Sequence, residues 1–209
     1  MSAMIPFTRE ELRAIGATFA GGTSLDKRDR ALFALGVCSR WRISEILALR
    51  RRDLLDQDGK VRRHIEMPGR FTKTQKASRL DIGEHLVGIL AAWLKECEAW
   101  GCWRRDDPAF PKEGARVALG RKAAWRMVKR RCAMAGVPQD RHGTHSFKKT
   151  ALAVVYEHWV EKGDADALRK TQAWSGHASL AQLEAYLREL PGGVYSVGQE
   201  LAAGNAEEL

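Results

Sequence analysis

Residues 176–186 of this chain read GHASLAQLEAY, and this stretch decides the fold when it is taken with three segments upstream. His177 precedes Tyr186 by nine positions. A Gly-His pair followed by a helical tyrosine is common by itself. The stretch becomes informative because three other segments precede it in this order: WRISEILAL at 41–49, FTKTQKASRLDIG at 71–83 and GTHSFKKT at 143–150.

The four segments contain the side chains needed to cut a phosphodiester with a side-chain oxygen. That reaction needs a nucleophile, positive donors for the pentavalent phosphorane and an acid for the leaving 5′-hydroxyl. Tyr186 would attack, Arg42 and His145 would hold non-bridging oxygens, and Lys73 would protonate the leaving oxygen. His177 would complete the phosphate pocket. Because the sequence has no P-loop, no HExxH and no carboxylate cluster suited to two-metal chemistry, we expect neither a metal nor another cofactor.

The same segments resemble the catalytic domain of the tyrosine recombinases (phage-type integrases), over roughly residues 8–189. The segment around Arg42 is similar to the GLRxSEL box of that family, and GRFTKT resembles the segment that carries its hairpin lysine. The resemblance implies a mainly α fold with a small antiparallel β-sheet (α+β). It also implies site-specific strand exchange through a 3′-phosphotyrosyl intermediate. The implied partners are duplex DNA and further copies of the chain, as a tetramer on two sites.

Two site positions have competitors in the sequence. The family box HxxR reads His145-Ser-Phe-Lys148 here, and a lysine keeps the charge but loses the planar fork that grips two phosphate oxygens. Lys149 or Arg141 could supply that contact instead. At the hairpin, the alternatives to Lys73 on the same basic turn are Lys76 and Arg70. Glu45, one helical turn after Arg42, is expected to orient its guanidinium.

Charge predicts a polyanionic partner. The net charge is +9, and from Glu184 onward one arginine stands against five glutamates, so this end carries −4 and residues 1–183 carry +13. Such a basic body favours a nucleic-acid backbone, although charge alone does not separate DNA from RNA or an anionic membrane. Two of the predicted DNA contacts, Arg70 and Lys76, lie on the basic turn of the hairpin. The others form a stripe in one helix: Arg121, Lys122, Arg126, Lys129 and Arg130.

Hydrophobic spacing and capping signals predict a mostly helical chain. A capping box at Thr8 opens the first helix. The predicted helices cover 8–19, 26–38, 43–50, 84–100, 121–135, 145–162, 166–174 and 180–189. Between them, 62–67 and 78–82 are predicted to form a hairpin with Lys73 near its tip.

The domain prediction is a catalytic domain at 1–190 and a C-terminal tail at 191–209 that would dock on a neighbouring protomer. The resemblance leaves out the N-terminal DNA-clamping domain of most family members. The chain then corresponds to the catalytic half, as in short fimbrial-inversion recombinases, or to a truncated form. Four scattered cysteines, no CxxC spacing, no signal core and only short apolar runs predict a reducing cytoplasm and no membrane partner. The resemblance implies a bacterial or phage-encoded protein associated with the nucleoid.

Two other functions fit the same residues. A non-catalytic, DNA-binding regulatory relative would keep the fold and the charge but lose turnover through the lysine at 148. A type IB topoisomerase shares the tyrosine chemistry and would relax supercoiled DNA without defined sites.

Overall fold

The computed structural model describes residues 4–72, 75, 77–176 and 179–187, and it leaves the side chains of residues 182, 185 and 186 undescribed. Within these residues the chain is mainly helical with one two-stranded antiparallel sheet, so the predicted fold class is confirmed. The elements follow in the order α1 Arg9–Ala17, α2 Ser24–Cys38, α3 Ile43–Ile46, α4 Arg51–Leu54, β1 His64–Met67, a 3-10 turn at Gly69–Phe71, β2 Ser78–Asp81, α5 Glu84–Ala99, α6 Arg121–Met134, α7 Thr144–Glu161, α8 Ala167–Ser175 and α9 Leu180–Leu187.

The third predicted helix is shorter than expected. The sequence predicts helix over 43–50, but α3 ends at Ile46. The backbone beyond it pairs with the loop after α5: the Leu49 carbonyl accepts a hydrogen bond from the Ala109 amide at 2.9 Å, and Arg50 forms a β-bridge with Pro108. The Leu49 carbonyl, which in a continued helix would accept from the Asp53 amide, is thus used by Ala109 instead.

The central helix is α2, which packs against both α5 and α7. Its contact with α7 is unusually close at Gly36. A Cβ on Gly36 would come within 2.5 Å of the Phe147 ring, so only glycine fits there. Phe147 is fully buried and packs edge-on against Phe33, with ring centroids 5.2 Å apart. The close approach fixes the rotation of α7 near its first turn.

The N-terminal segment holds the start of α7 in place. The predicted capping box at Thr8 is present, and the second oxygen of its Glu11 lies 3.0 Å from Nε2 of the buried His142. The Phe7 ring stacks on His142 at 4.4 Å, and the Phe7 amide donates to the Thr150 hydroxyl at 2.9 Å. Because these contacts surround residues 142–150, the first two turns of α7 have a fixed position.

An ion-pair network joins α6 to α2. Arg131 is 2% exposed and pairs with Asp26 at 2.5 Å and with Asp29 at 3.2 Å. Arg28 and Arg130 also bond Asp29, at 2.7 and 2.5 Å. Removing one member of a buried network leaves an unpaired charge. The network therefore keeps the face of α6 that carries Arg131 packed on α2. The opposite face of α6 is therefore turned outward.

The hairpin is confirmed, with His64 opposite Asp81 and Met67 opposite Ser78. Ile65, Met67 and Leu80 face the core. The Trp41 indole donates a 2.6 Å hydrogen bond to the Ser78 hydroxyl. Since Trp41 directly precedes Arg42, this bond sets the hairpin beside the segment that carries Arg42.

Candidate active site

Arg42 and Glu45 begin α3. The Arg42 amide donates to Glu45 Oε2 at 2.7 Å, and the Arg42 guanidinium lies 3.4 Å from Glu45 Oε1. Glu45 is buried, whereas 44% of the Arg42 side chain is exposed. The carboxylate thus caps the helix and restrains the arginine, as the sequence predicts, while the guanidinium stays accessible to an anion.

The first turns of α7 carry His145 and Lys148, which lie one helical turn apart on one face of the helix, and the charge of Arg42 acts on Lys148. His145 is exposed and Lys148 is partly buried, whereas Phe147 between them is in the core. Of the competing residues, Lys149 is buried at 8% exposed, and the charge of Arg141 acts on Glu11 on the α1 side. The positions of these side chains therefore favour Lys148 over both competitors as the residue that accompanies His145.

Lys148 lies within a cluster of positive charge. Partial burial lowers the pKa of its ammonium group, and the charges of Arg42 and Arg40 lower it further, while Glu45 opposes them. The structure therefore brings Arg42, Glu45 and Lys148 together from two elements that are a hundred residues apart in sequence. A partly desolvated cluster of like charges is stabilised by an anion, and a phosphate group has the charge to do so.

Arg40 is a member of this cluster that the sequence analysis missed. Its guanidinium carbon lies 5.7 Å from the centroid of the Trp174 ring in α8, and partial burial lowers its pKa. One sequence signal could have found it. Residues 40–43 alternate polar and apolar, a pattern that predicts Arg40 on the same side as Arg42.

The hairpin tip is only partly described. Arg70 is exposed, with its guanidinium carbon 4.6 Å from the centroid of the Phe71 ring. Lys73 and Lys76, the other two predicted residues of this turn, lie outside the described residues. Their predicted roles remain predictions.

The last described helix carries the predicted nucleophile. Tyr186 lies on α9 by its backbone, and its side chain is not described. α9 packs against α7 and α8, with Leu183 fully buried. α8 ends at Gly176 in the left-handed conformation, φ +69°, a C-cap that favours glycine. His177 and the tail at 191–209 lie outside the described residues.

The basic stripe of α6 divides into two parts. Arg121, Lys122 and Arg126 are exposed, and no ion pair involves them in the part of the chain that the structure describes. Arg130 instead pairs with Asp29, and Lys129 donates to the His142 carbonyl at 2.5 Å. The first three form an outward cationic surface, whereas the other two hold α6 against its neighbours.

Trp125 belongs to the outward surface and was not predicted. It is 44% exposed and lies one turn from Lys122 and Lys129, with the Lys129 ammonium 5.2 Å from its ring centroid. A Cβ on Gly143, just before α7, would lie 3.5 Å from the indole nitrogen. The stripe and the site helix are thus neighbours.

No group of three His, Cys, Asp or Glu side chains among the described residues could hold a metal ion, and the four cysteines are free thiols. None of the helices in this part of the chain is long and apolar enough to cross a membrane.

Comparison with known proteins identifies the class. The model of the phage integrase family matches residues 6–191, so the chain belongs to that family. The tyrosine recombinase XerD of Xanthomonas campestris pv. campestris is 26% identical over 185 residues, 86% of this chain and 53% of that protein. XerC of Xanthomonas axonopodis pv. citri is 29% identical over 162 residues, 78% of this chain and 47% of that protein. The chain therefore spans about half the length of these curated relatives.

Solved structures show the same fold. The XerH site-specific recombinase in a post-cleavage complex with its difH substrate has a TM-score of 0.67 at 23% identity, covering 99% of this chain and 54% of that one. The Tn1549 transposon integrase in complex with transposon right end DNA has a TM-score of 0.68 at 14% identity, covering 100% and 67%. The predicted tyrosine recombinase fold is confirmed by these neighbours.

Proposed function

We propose that this protein cuts and rejoins DNA strands at specific sites through a covalent 3′-phosphotyrosyl bond. The observation that carries the proposal is the cluster of Arg42, Glu45 and Lys148, formed where α3 and α7 begin, with the exposed His145 one helical turn before Lys148. An accessible, partly desolvated group of cations suits a phosphorane, whose charge grows in the transition state. Family membership supports tyrosine as the nucleophile.

In this proposal each residue has one task. The Tyr186 oxygen attacks phosphorus while its proton passes to solvent water, and the bond from phosphorus to the 5′-oxygen breaks. Lys73 gives the leaving oxygen its proton. Hydrogen-bond donors hold the non-bridging oxygens: Arg42, His145, Lys148 and His177. The reverse attack by a 5′-hydroxyl rejoins a strand, since the phosphotyrosyl bond keeps the energy of the phosphodiester.

Duplex DNA would approach across the face that holds this cluster. The outward residues of α6, Arg121, Lys122 and Arg126, can follow a phosphate backbone beside it. Trp125 adds an apolar surface between them for a sugar or a base edge. Assembly of several copies on two sites, with the tail at 191–209 on a neighbouring protomer, is the part of the proposal that follows from the resemblance alone.

The test is a covalent adduct on a nicked suicide duplex that carries the recombination site, mapped by peptide mass. We expect the adduct at Tyr186, and we expect Tyr186→Phe to abolish it while DNA binding remains. An adduct at Tyr156 or Tyr195 would reassign the nucleophile. Binding with no adduct on the authentic site would support the non-catalytic relative, and relaxation of plasmids without that site would support a topoisomerase.

A further inference from the structure

Arg40 lies in the connection between α2 and α3, two residues before Arg42. Burial alternates along this connection: Trp41 is 2% exposed, whereas Arg40 is partly exposed and Arg42 is exposed. Trp41 is held against the hairpin by its hydrogen bond to Ser78, and the partly exposed Arg40 and the exposed Arg42 flank it on either side along the chain.

The Arg40 guanidinium lies over the indole ring of Trp174. The guanidinium carbon lies 5.7 Å from the indole centroid, and Trp174 is two residues before Gly176, where α8 ends. A guanidinium over an aromatic face keeps its in-plane N–H donors free. No carboxylate pairs with Arg40 within residues 4–72, 75, 77–176 and 179–187, so those donors have no anion there.

The charge around Arg40 is unbalanced. Its charge, like that of Arg42, acts on Lys148, and among the described residues Glu45 is the one carboxylate whose charge opposes theirs at Lys148. Glu45 is already engaged by the Arg42 amide and guanidinium. Partial burial of a cation without a counter-ion costs free energy, and a bound anion would remove that cost.

We propose that Arg40 is a further phosphate-binding residue of this site and provides the second guanidinium that the lysine at position 148 lacks. For the reaction, this inference rests on the proposed function. For the ligand, a phosphate group, it rests on the cluster of positive charge and on the position of Arg40 over Trp174. Arg40 would donate hydrogen bonds to a non-bridging phosphate oxygen and keep its proton throughout. Lys148 would add charge to the same phosphate, so that the pair replaces one bidentate arginine.

The first experiment measures binding of inorganic phosphate as a rise in the thermal unfolding midpoint, with chloride at equal ionic strength as the reference. We expect Arg40→Ala and Arg40→Gln each to weaken phosphate about 10- to 100-fold, as for loss of a hydrogen bond between charged groups. The matched control is Arg104→Ala, which removes a guanidinium 5.3 Å from the Trp103 ring in the loop after α5. Its phosphate affinity should equal that of the wild type.

The second experiment measures single-turnover adduct formation at saturating DNA. We expect Arg40→Ala to slow it about 10²–10³-fold, and Arg40→Lys to slow it less. Adding Lys148→Arg to Arg40→Ala should restore much of the rate, since it returns one guanidinium to the phosphate. A purely structural role for Arg40 would not give this rescue.

The outcomes separate the two proposals. If the wild type forms the adduct and folded Arg40 variants match it in rate and in phosphate affinity, the Arg40 assignment is overturned while the function stands. If the wild type forms no adduct, the proposed function fails, and the phosphate titration alone decides Arg40. Equal phosphate affinity in the wild type and both Arg40 variants would then overturn it.

Discussion

Glu45 accepts a 2.7 Å hydrogen bond from the Arg42 amide with one oxygen and places the other 3.4 Å from the Arg42 guanidinium. Glu45→Gln keeps an acceptor for the amide but removes the charge that restrains the guanidinium. We expect single-turnover cleavage to fall about tenfold, the effect of roughly 1.4 kcal/mol in the transition state. The free energy of unfolding should change by less than about 1 kcal/mol, because glutamine keeps the hydrogen bond from the amide and the Arg42 end of the ion pair is 44% exposed.

The control is Asp53→Asn at the start of α4. Asp53 accepts a 2.7 Å hydrogen bond from the Arg50 amide in the same i, i+3 arrangement, outside the site. It should alter stability by a similar amount and leave cleavage unchanged. If both variants slow cleavage equally, Glu45 acts only as a helix cap.

Lys148 has a lowered pKa because of burial and the neighbouring Arg42 and Arg40. A lysine whose pKa is lower in the folded state destabilises the fold fully at pH values below the folded pKa, and this cost fades as pH rises from the folded pKa to the unfolded pKa. Lys148→Met should therefore raise the unfolding midpoint at neutral pH. It should also abolish cleavage, because functional sites often keep a residue that destabilises the fold but is needed for activity. A midpoint that falls in a folded variant would show that the ammonium group stabilises the fold.

The same shift predicts the pH profile. Cleavage should decline at alkaline pH as Lys148 loses its proton, and Lys148→Arg should retain or raise cleavage and move the decline to higher pH, because arginine stays charged. Lys148→Ala should lower cleavage much more than binding. The measurement is single-turnover cleavage at saturating DNA beside a binding titration on the same duplex. Identical alkaline declines for lysine and arginine would assign the decline to another group.

The sequence predicted most of this fold because its signals are local. The capping box at Thr8 and the apolar spacing of α2 and α5 specify helices through neighbouring residues alone. The end of α3 could not be predicted, because the backbone beyond it pairs with a remote loop through the hydrogen bond from the Ala109 amide to the Leu49 carbonyl and the bridge between Arg50 and Pro108. Tertiary hydrogen bonds of this kind leave no periodic trace in the sequence.

The site shows the same division. Arg42, Glu45 and Lys148 were predicted from the resemblance to the family boxes, and in the structure the charges of Arg42 and Glu45 act on Lys148, while their roles stay predictions. Arg40 was missed because its position depends on Trp174, which is remote in sequence. Arg130 fitted the basic stripe, but the buried Asp29 that binds it cannot be inferred from helical spacing.

Gly36 sets the position of the site helix, since a Cβ there would meet the Phe147 ring at 2.5 Å. Gly36→Ala should cost about 1–3 kcal/mol of unfolding free energy through overpacking. It should also slow cleavage, because α7 must shift with His145 and Lys148 on it. The measurements are chemical denaturation and single-turnover cleavage.

Gly88→Ala is the matched control. Gly88 lies within α5, and nothing is within 4 Å of a Cβ built there. This change should raise the unfolding free energy by about 0.5–1 kcal/mol and leave cleavage unchanged. Equal effects from the two alanines would mean that helix propensity, rather than the contact with Phe147, decides the outcome.

The outward face of α6 predicts how DNA affinity depends on salt. Lys122 is exposed with no described ion pair, whereas Arg130, two turns along the same helix, pairs with Asp29. Affinity should fall steeply with salt, and Lys122→Ala should weaken binding and reduce the slope of log K against log salt by about one, since one phosphate contact is lost. Arg130→Ala should lower the unfolding midpoint and keep the slope. Binding that barely changes with salt, or a slope that responds to Arg130 and not to Lys122, would move the DNA surface away from this face.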